Sequence, residues 1–147
     1  MAEDKKVKID ERSPSVQSHL GIIQNVIQRM GSNSSACKTW CITIVAALLV
    51  VIADKNKPNL ALLALFPTVL FAGLDVYYLA LEKGFRHSYD NFIRKLHIQA
   101  LTASDLYSLE PTGNVWLLQL QALKSFAIWG FYVPLLVLIS LATWIIS

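Results

Sequence analysis

Charged side chains make up only 16% of this chain of 147 residues, and the stretches that lack them decide most of its reading. Across residues 41–53 and 59–74 no side chain titrates except the Cys41 thiol, and across 125–147 none does except Tyr132. The net charge of +3 is mild and forms no basic stripe, which argues against nucleic acid as a partner. Cysteine is nearly absent. Cys37 and Cys41 are helical neighbours four apart, and a reducing compartment leaves them as small apolar fillers rather than a disulfide. There is no phosphate-binding glycine loop and no nucleophile arranged with its base. His87, Asp90 and His97 fall on one helix, but their spacing does not give the compact geometry that zinc needs. No enzyme signature and no cofactor follow. A secretory signal is also missing: the first long apolar run begins near residue 37 behind a polar lead, so the first spanning helix is expected to stay in the protein.

What is present is apolar sequence in long blocks. The chain is 54% hydrophobic with a mean hydropathy of +0.47, too apolar for an ordinary soluble domain and short enough for one domain. Three blocks are long enough to cross a hydrocarbon core of about 30 Å: residues 37–53, 59–81 and 125–146. Pro67 lies inside the second, and Gly130 and Pro134 inside the third; neighbouring helices commonly satisfy the carbonyl that a membrane proline frees. Trp129 and Trp144 sit toward the two ends of the third block, where interfacial aromatics belong. The expected fold is an all-α membrane protein: three transmembrane helices, an N-terminal amphipathic helix and a cytoplasmic helix between spans two and three.

The segments between these blocks read in order. Residues 1–14 are charged and of mixed sign, a disordered lead. Over residues 15–30, Val16, Leu20, Ile23, Ile27 and Met30 recur at helical spacing, and the opposite face is polar but mostly uncharged. A helix made to grip anionic lipid would carry more Lys or Arg, so this one is expected to pack on protein. Gly31-Ser32-Asn33-Ser34-Ser35 is expected to end it and cap the next. Asp54-Lys55-Asn56-Lys57-Pro58 forms a polar turn. Residues 82–101 carry a second stripe, Phe85, Tyr89, Phe92 and Leu96, with two favourable i,i+4 pairs, Glu82 with Arg86 and Asp90 with Arg94. Residues 102–114 read as irregular, and 115–123 as an interfacial approach helix ending at Lys124. Lys and Arg near the membrane orient the bundle. Arg29, Lys38, Lys83, Arg86, Arg94, Lys95 and Lys124 fall on one side, and Lys55 and Lys57 on the other. The N-terminus and residues 82–123 are therefore expected in the cytoplasm and the C-terminus outside.

One polar constellation stands inside the apolar blocks. Lys38 and Asp75 lie at nearly equal sequence distance on either side of the turn, so in a helical hairpin they share one depth. A charge at the bilayer centre costs roughly 2.5–3.5 kcal/mol on insertion scales, so such residues seek a partner or water. The pair reads as a staple between two helices, as the polar lining of an ion or water path, or as a Lys38 that simply snorkels to the interface.

His19-Leu20, Ile23-Gln24, Ile27 and Arg29-Met30, followed by Asn33-Ser34, Lys38 and Trp40, resemble a widespread family of small bacterial multi-span membrane proteins of unassigned function. Leu74-Asp75-Val76-Tyr77-Tyr78-Leu79, Glu82, Phe85-Arg86 and Tyr89-Asp90 are similar to the same family's exit from its second span. The likeness covers roughly residues 18–92, with a looser match around Ser125, Phe131 and Tyr132. The chain departs from it at Thr39 and Val76, where members often have Gly. The resemblance implies a bacterial inner-membrane protein. In layout alone it is also similar to the small multi-span effectors that accompany anti-phage systems.

Three functions compete at this point. An oligomeric, membrane-perturbing or channel-like effector controlled by its cytoplasmic helices needs self-association, because three short spans enclose no wide pore; Ala46, Ala47, Ala72, Gly73 and Gly130 would let helices approach. A membrane-anchored adaptor would recruit a protein partner through helices 15–30 and 82–101. An enzyme or transporter lacks its catalytic cluster or its internal repeats. Expected partners are thus the lipid bilayer, further copies of the chain and a cytoplasmic protein.

Overall fold

The computed structural model describes residues 11–55 and 62–146. All regular structure among them is helical: α1 (Pro14–Lys55), α2 (Leu62–His97), a 3-10 turn (Ala103–Tyr107), α3 (Val115–Leu123) and α4 (Phe126–Ile146). Of these, α1, α2 and α4 are long and apolar enough to cross a membrane. The chain is a multi-pass membrane protein. Most of the expected lead, and the Asn56–Pro58 part of the expected turn with the first residues of the second span, lie outside the described residues.

The expected break at residues 31–35 does not exist. α1 runs unbroken through them for 42 residues, about 63 Å at 1.5 Å per residue, so there is no separate N-terminal amphipathic helix. Glycine and serine weaken a helix by about 0.5–1 kcal/mol each, and tertiary contact overrides them here. The Gly31 backbone faces the Glu82 carboxylate so closely that a Cβ would lie 3.3 Å from Oε2. Ser34 is buried against α2. Local propensity marked a stop where two helices in fact press together.

α2 is equally continuous and about 54 Å long. It ends at His97, short of residue 101, by a Schellman closure: Ala100 N–H donates to the Lys95 carbonyl and Gln99 N–H to that of Leu96, with Gln99 at φ 55°. α1 and α2 form an antiparallel hairpin whose more polar half we call the stalk (residues 14–33 and 82–97). In the stalk, Val16, Phe92 and Leu96 form a buried cluster joined by Leu20, Leu101 and Leu106. In the apolar half, α4 completes a three-helix core of Cys41, Val45, Ala64, Ile128, Tyr132, Leu135 and Ile139.

The connection between α2 and α4 is strapped to α2. A Cβ at Gly84 would lie 2.8 Å from Pro111 Cβ, so only glycine admits the strap there. Thr112 N–H donates to the Gly84 carbonyl, and Ser88 Oγ bonds Thr112 and the Glu110 carbonyl. Asn114 caps α3 by accepting from Trp116 N–H. Leu118 and Ala122 then seat α3 against Ala80, Val76 and Leu79, and Lys83 Nζ donates to the Gln121 carbonyl. Val115, Trp116, Leu117, Leu120 and Leu123 face outward, an apolar face in line with the exposed Phe126 and Trp129 of α4.

Candidate functional site in the helix bundle

A buried charged centre lies where the three spans meet. Lys38 Nζ is 2.5 Å from Asp75 Oδ2, with Asp75 fully buried and the Lys38 side chain 22% exposed. α1 presents Ser34 and Lys38 on one face because they are four residues apart. Ser34 Oγ donates to Asp75 Oδ1 and accepts from Lys38 Nζ at 3.2 Å. The three side chains close a triangle in which the charges cancel. Such a pair meets the expense of carrying ions in a bilayer only while both partners stay in place.

α4 contributes a fourth member. Tyr132 is 5% exposed, and its phenol lies within reach of the Asp75 carboxylate, short of an aligned hydrogen bond. The Lys38 contact on Oδ2 is an ion contact rather than an aligned hydrogen bond. Consequently the two buried side-chain oxygens without a hydrogen bond among the described residues, Asp75 Oδ2 and Tyr132 Oη, lie at the same place. One layer nearer the turn, the Cys41 thiol lies beside Thr68, whose hydroxyl is occupied by the Ala64 carbonyl. Cys37 and Cys41 are buried and free.

The other residues singled out in the sequence divide. The two stripes meet in the stalk: Ile23, Met30, Phe92 and Leu96 are buried, Leu20 packs on the cluster of Val16, Phe92 and Leu96, and Ile27, Phe85 and Tyr89 are half-buried. The His19 ring lies 4.6 Å from that of Phe92, and Gln24 donates to the Tyr89 hydroxyl at 3.3 Å. Glu82 accepts twice from Arg86, at 2.9 and 2.7 Å. Asp90 and Arg94 do not pair; Arg94 turns to Asn91 Oδ1 at 2.8 Å, and Asp90 lines a shallow groove with Arg86, Gln24 and Gln28. Sequence reasoning missed Ser34, taken for part of a cap, and Tyr132. The signal for Tyr132 was available, since it is the one titratable side chain in the last apolar block.

Between stalk and strap a polar cleft of about 300 Å³ is lined by His19, Asn91, Phe92, Arg94, Asp105 and Ser108 among others. Burial holds the His19 imidazole below its ordinary value, against opposing pulls from the Leu106 carbonyl and the Asp105 carboxylate. Asp105 itself is held down to about 2 by Lys95, whose ammonium donates at 2.7 Å, and by the Thr102 hydroxyl and N–H. No group of three or more His, Cys, Asp or Glu among the described residues converges on a metal position.

No family model, curated protein or solved structure matches the chain.

Proposed function

We propose that the chain is an oligomeric, channel-like effector of a bacterial inner membrane. In this reading the N-terminus and stalk lie in the cytoplasm and the C-terminus lies outside. The observation that carries it is the continuity of α1 and α2 from the stalk through the charged centre. Each helix holds a stalk contact and one member of the Lys38–Asp75 pair on the same rigid rod, so a shift at the stalk is felt at the centre. A simple anchor needs no ion pair at bilayer depth. Oligomerisation is part of the proposal because three spans alone enclose no pore. Support for it is that Ala46, Ala47 and Gly73 lie on the outer surface, where a second copy can approach closely. The layout shared with anti-phage effectors favours a role in defence.

The adaptor reading is weaker because the two stripes it would offer to a partner are buried on each other. What it retains is the cleft between stalk and strap. Purified protein in dye-loaded liposomes tests the choice. Ion leakage that depends on protein density, and is altered by Lys38→Ala, is the expected result. Tight liposomes at every density, together with specific recovery of a soluble partner on the stalk, would favour the adaptor.

A further inference from the structure

The charged centre holds more oxygen than its lysine uses. The ammonium of Lys38 takes Asp75 Oδ2 and Ser34 Oγ, and Tyr132 Oη stands at the same carboxylate without an aligned hydrogen bond. A buried hydroxyl without an aligned partner is costly, so a position of this kind can take up a ligand. The oxygens available are those of one carboxylate, one serine and one tyrosine. All are hard donors, which suit hard cations rather than soft ones. A single carboxylate is a poor match for a divalent ion, which draws on more charge and more ligands. It balances one positive charge, the charge that Lys38 now supplies. Lys38 is also the one member of the centre with partial exposure, and a flexible four-carbon stem lets a lysine withdraw its head toward an interface.

We propose that Asp75, Ser34 and Tyr132 form a binding site for a small alkali-metal cation, sodium or lithium, for which Lys38 is the resident competitor. Cation entry displaces the ammonium from Asp75, recruits the Tyr132 hydroxyl as an added ligand, and leaves the net charge of the buried centre unchanged. The exchange pulls α4 onto the α1–α2 hairpin through Tyr132 while freeing Lys38. It deepens the channel-like reading by naming the species the bundle admits. It rests on that reading only for flux; binding stands without it.

The test uses the full chain in detergent, with sodium, lithium or potassium chloride compared with choline chloride at equal ionic strength. Two readouts are taken: the unfolding midpoint, and the rate at which an amine-reactive reagent labels Lys38, read by mass spectrometry. In the wild-type protein sodium is expected to raise Lys38 labelling several-fold over choline, and Asp75→Asn should label quickly in every salt. In Lys38→Met, where the competitor is gone, sodium should raise the midpoint well above its value in choline. Adding Tyr132→Phe should reduce that rise, and adding Asp75→Asn should abolish it. Lys38 labelling indifferent to sodium would overturn the proposal even if Lys38→Met failed to fold. So would a Lys38→Met protein rescued by lowered pH but not by sodium, which would make Asp75 a simple acid. Cation-dependent labelling in detergent with no leakage from liposomes would leave the site standing and reject the channel.

Discussion

In the stalk α1 meets α2 through Val16, Ile23, Phe92 and Leu96, whereas just beyond it the same helices meet through Ser34, Lys38 and Asp75. The first contact follows the rule for water, where apolar area leaves solvent at about 25 cal/mol per Å². The second follows the rule for lipid. There, apolar side chains gain little by exchanging acyl chains for each other, and polar partners and close packing supply the specificity. Charge is distributed accordingly: the pairs Glu82–Arg86 and Lys95–Asp105 sit on the stalk surface, where they contribute little, while Lys38–Asp75 is enclosed. The fold thus puts its weak ion pairs on the surface and encloses the one between its apolar helices.

The largest effect that could break this contrast is loss of one charge. Lys38→Ala and Asp75→Ala should each destabilise the bundle by about 3–5 kcal/mol, because a lone ion is left buried. Unfolding in detergent measures this, and a loss no larger than that of Glu82→Ala would erase the distinction between the halves. Next comes Phe92→Ala, expected to cost about 3–5 kcal/mol, confined to the stalk. Hydrogen exchange should then quicken over residues 14–30 and 86–97 and stay slow around Asp75; quickening throughout would mean the halves unfold as one.

Gly84→Ala sharpens the boundary. Its Cβ would meet Pro111, so a loss of about 1–3 kcal/mol is expected, with freer proteolysis of residues 98–114 as the marker. The smallest effects are those of pH on the stalk and on the 3-10 turn packed against it. His19 binds a proton less readily folded than unfolded, so the stability it lends at neutral pH is lost as pH falls below about 6.5. Protection factors over α1's first turns, corrected for the intrinsic pH dependence of exchange, should fall between pH 7 and pH 5, and His19→Leu should remove that dependence. Asp105, depressed by Lys95, lends stability that is complete above the ordinary carboxylate value and lost as pH falls toward about 2.

How far the sequence could be read tracks the same division. Helical class and three long apolar helices were legible because lipid demands long uncharged runs. The equal depth of Lys38 and Asp75 followed from counting along two rods. Gly31–Ser35 misled because a cluster of small residues marks a helix end in water and a close helix contact in packed bundles, and sequence alone does not separate the two. Arg94 bonds Asn91 rather than Asp90, and spacing allows either, since both lie one turn back. Tyr132 stood out as the one titratable side chain of its block, but its role depends on how α4 is rotated, and nearly uniform apolar sequence leaves that rotation unspecified.

The central claim is that the Lys38–Asp75 contact holds the apolar half of the hairpin together. A double-mutant cycle in a lipid environment tests it most directly, with Lys38→Ala, Asp75→Ala, the double variant and the exchange Lys38→Asp with Asp75→Lys. Expected are a coupling of about 1–3 kcal/mol, a double variant milder than the sum of the singles by that amount, and partial recovery in the exchange. Losses that simply add, with no recovery on exchange, would contradict it.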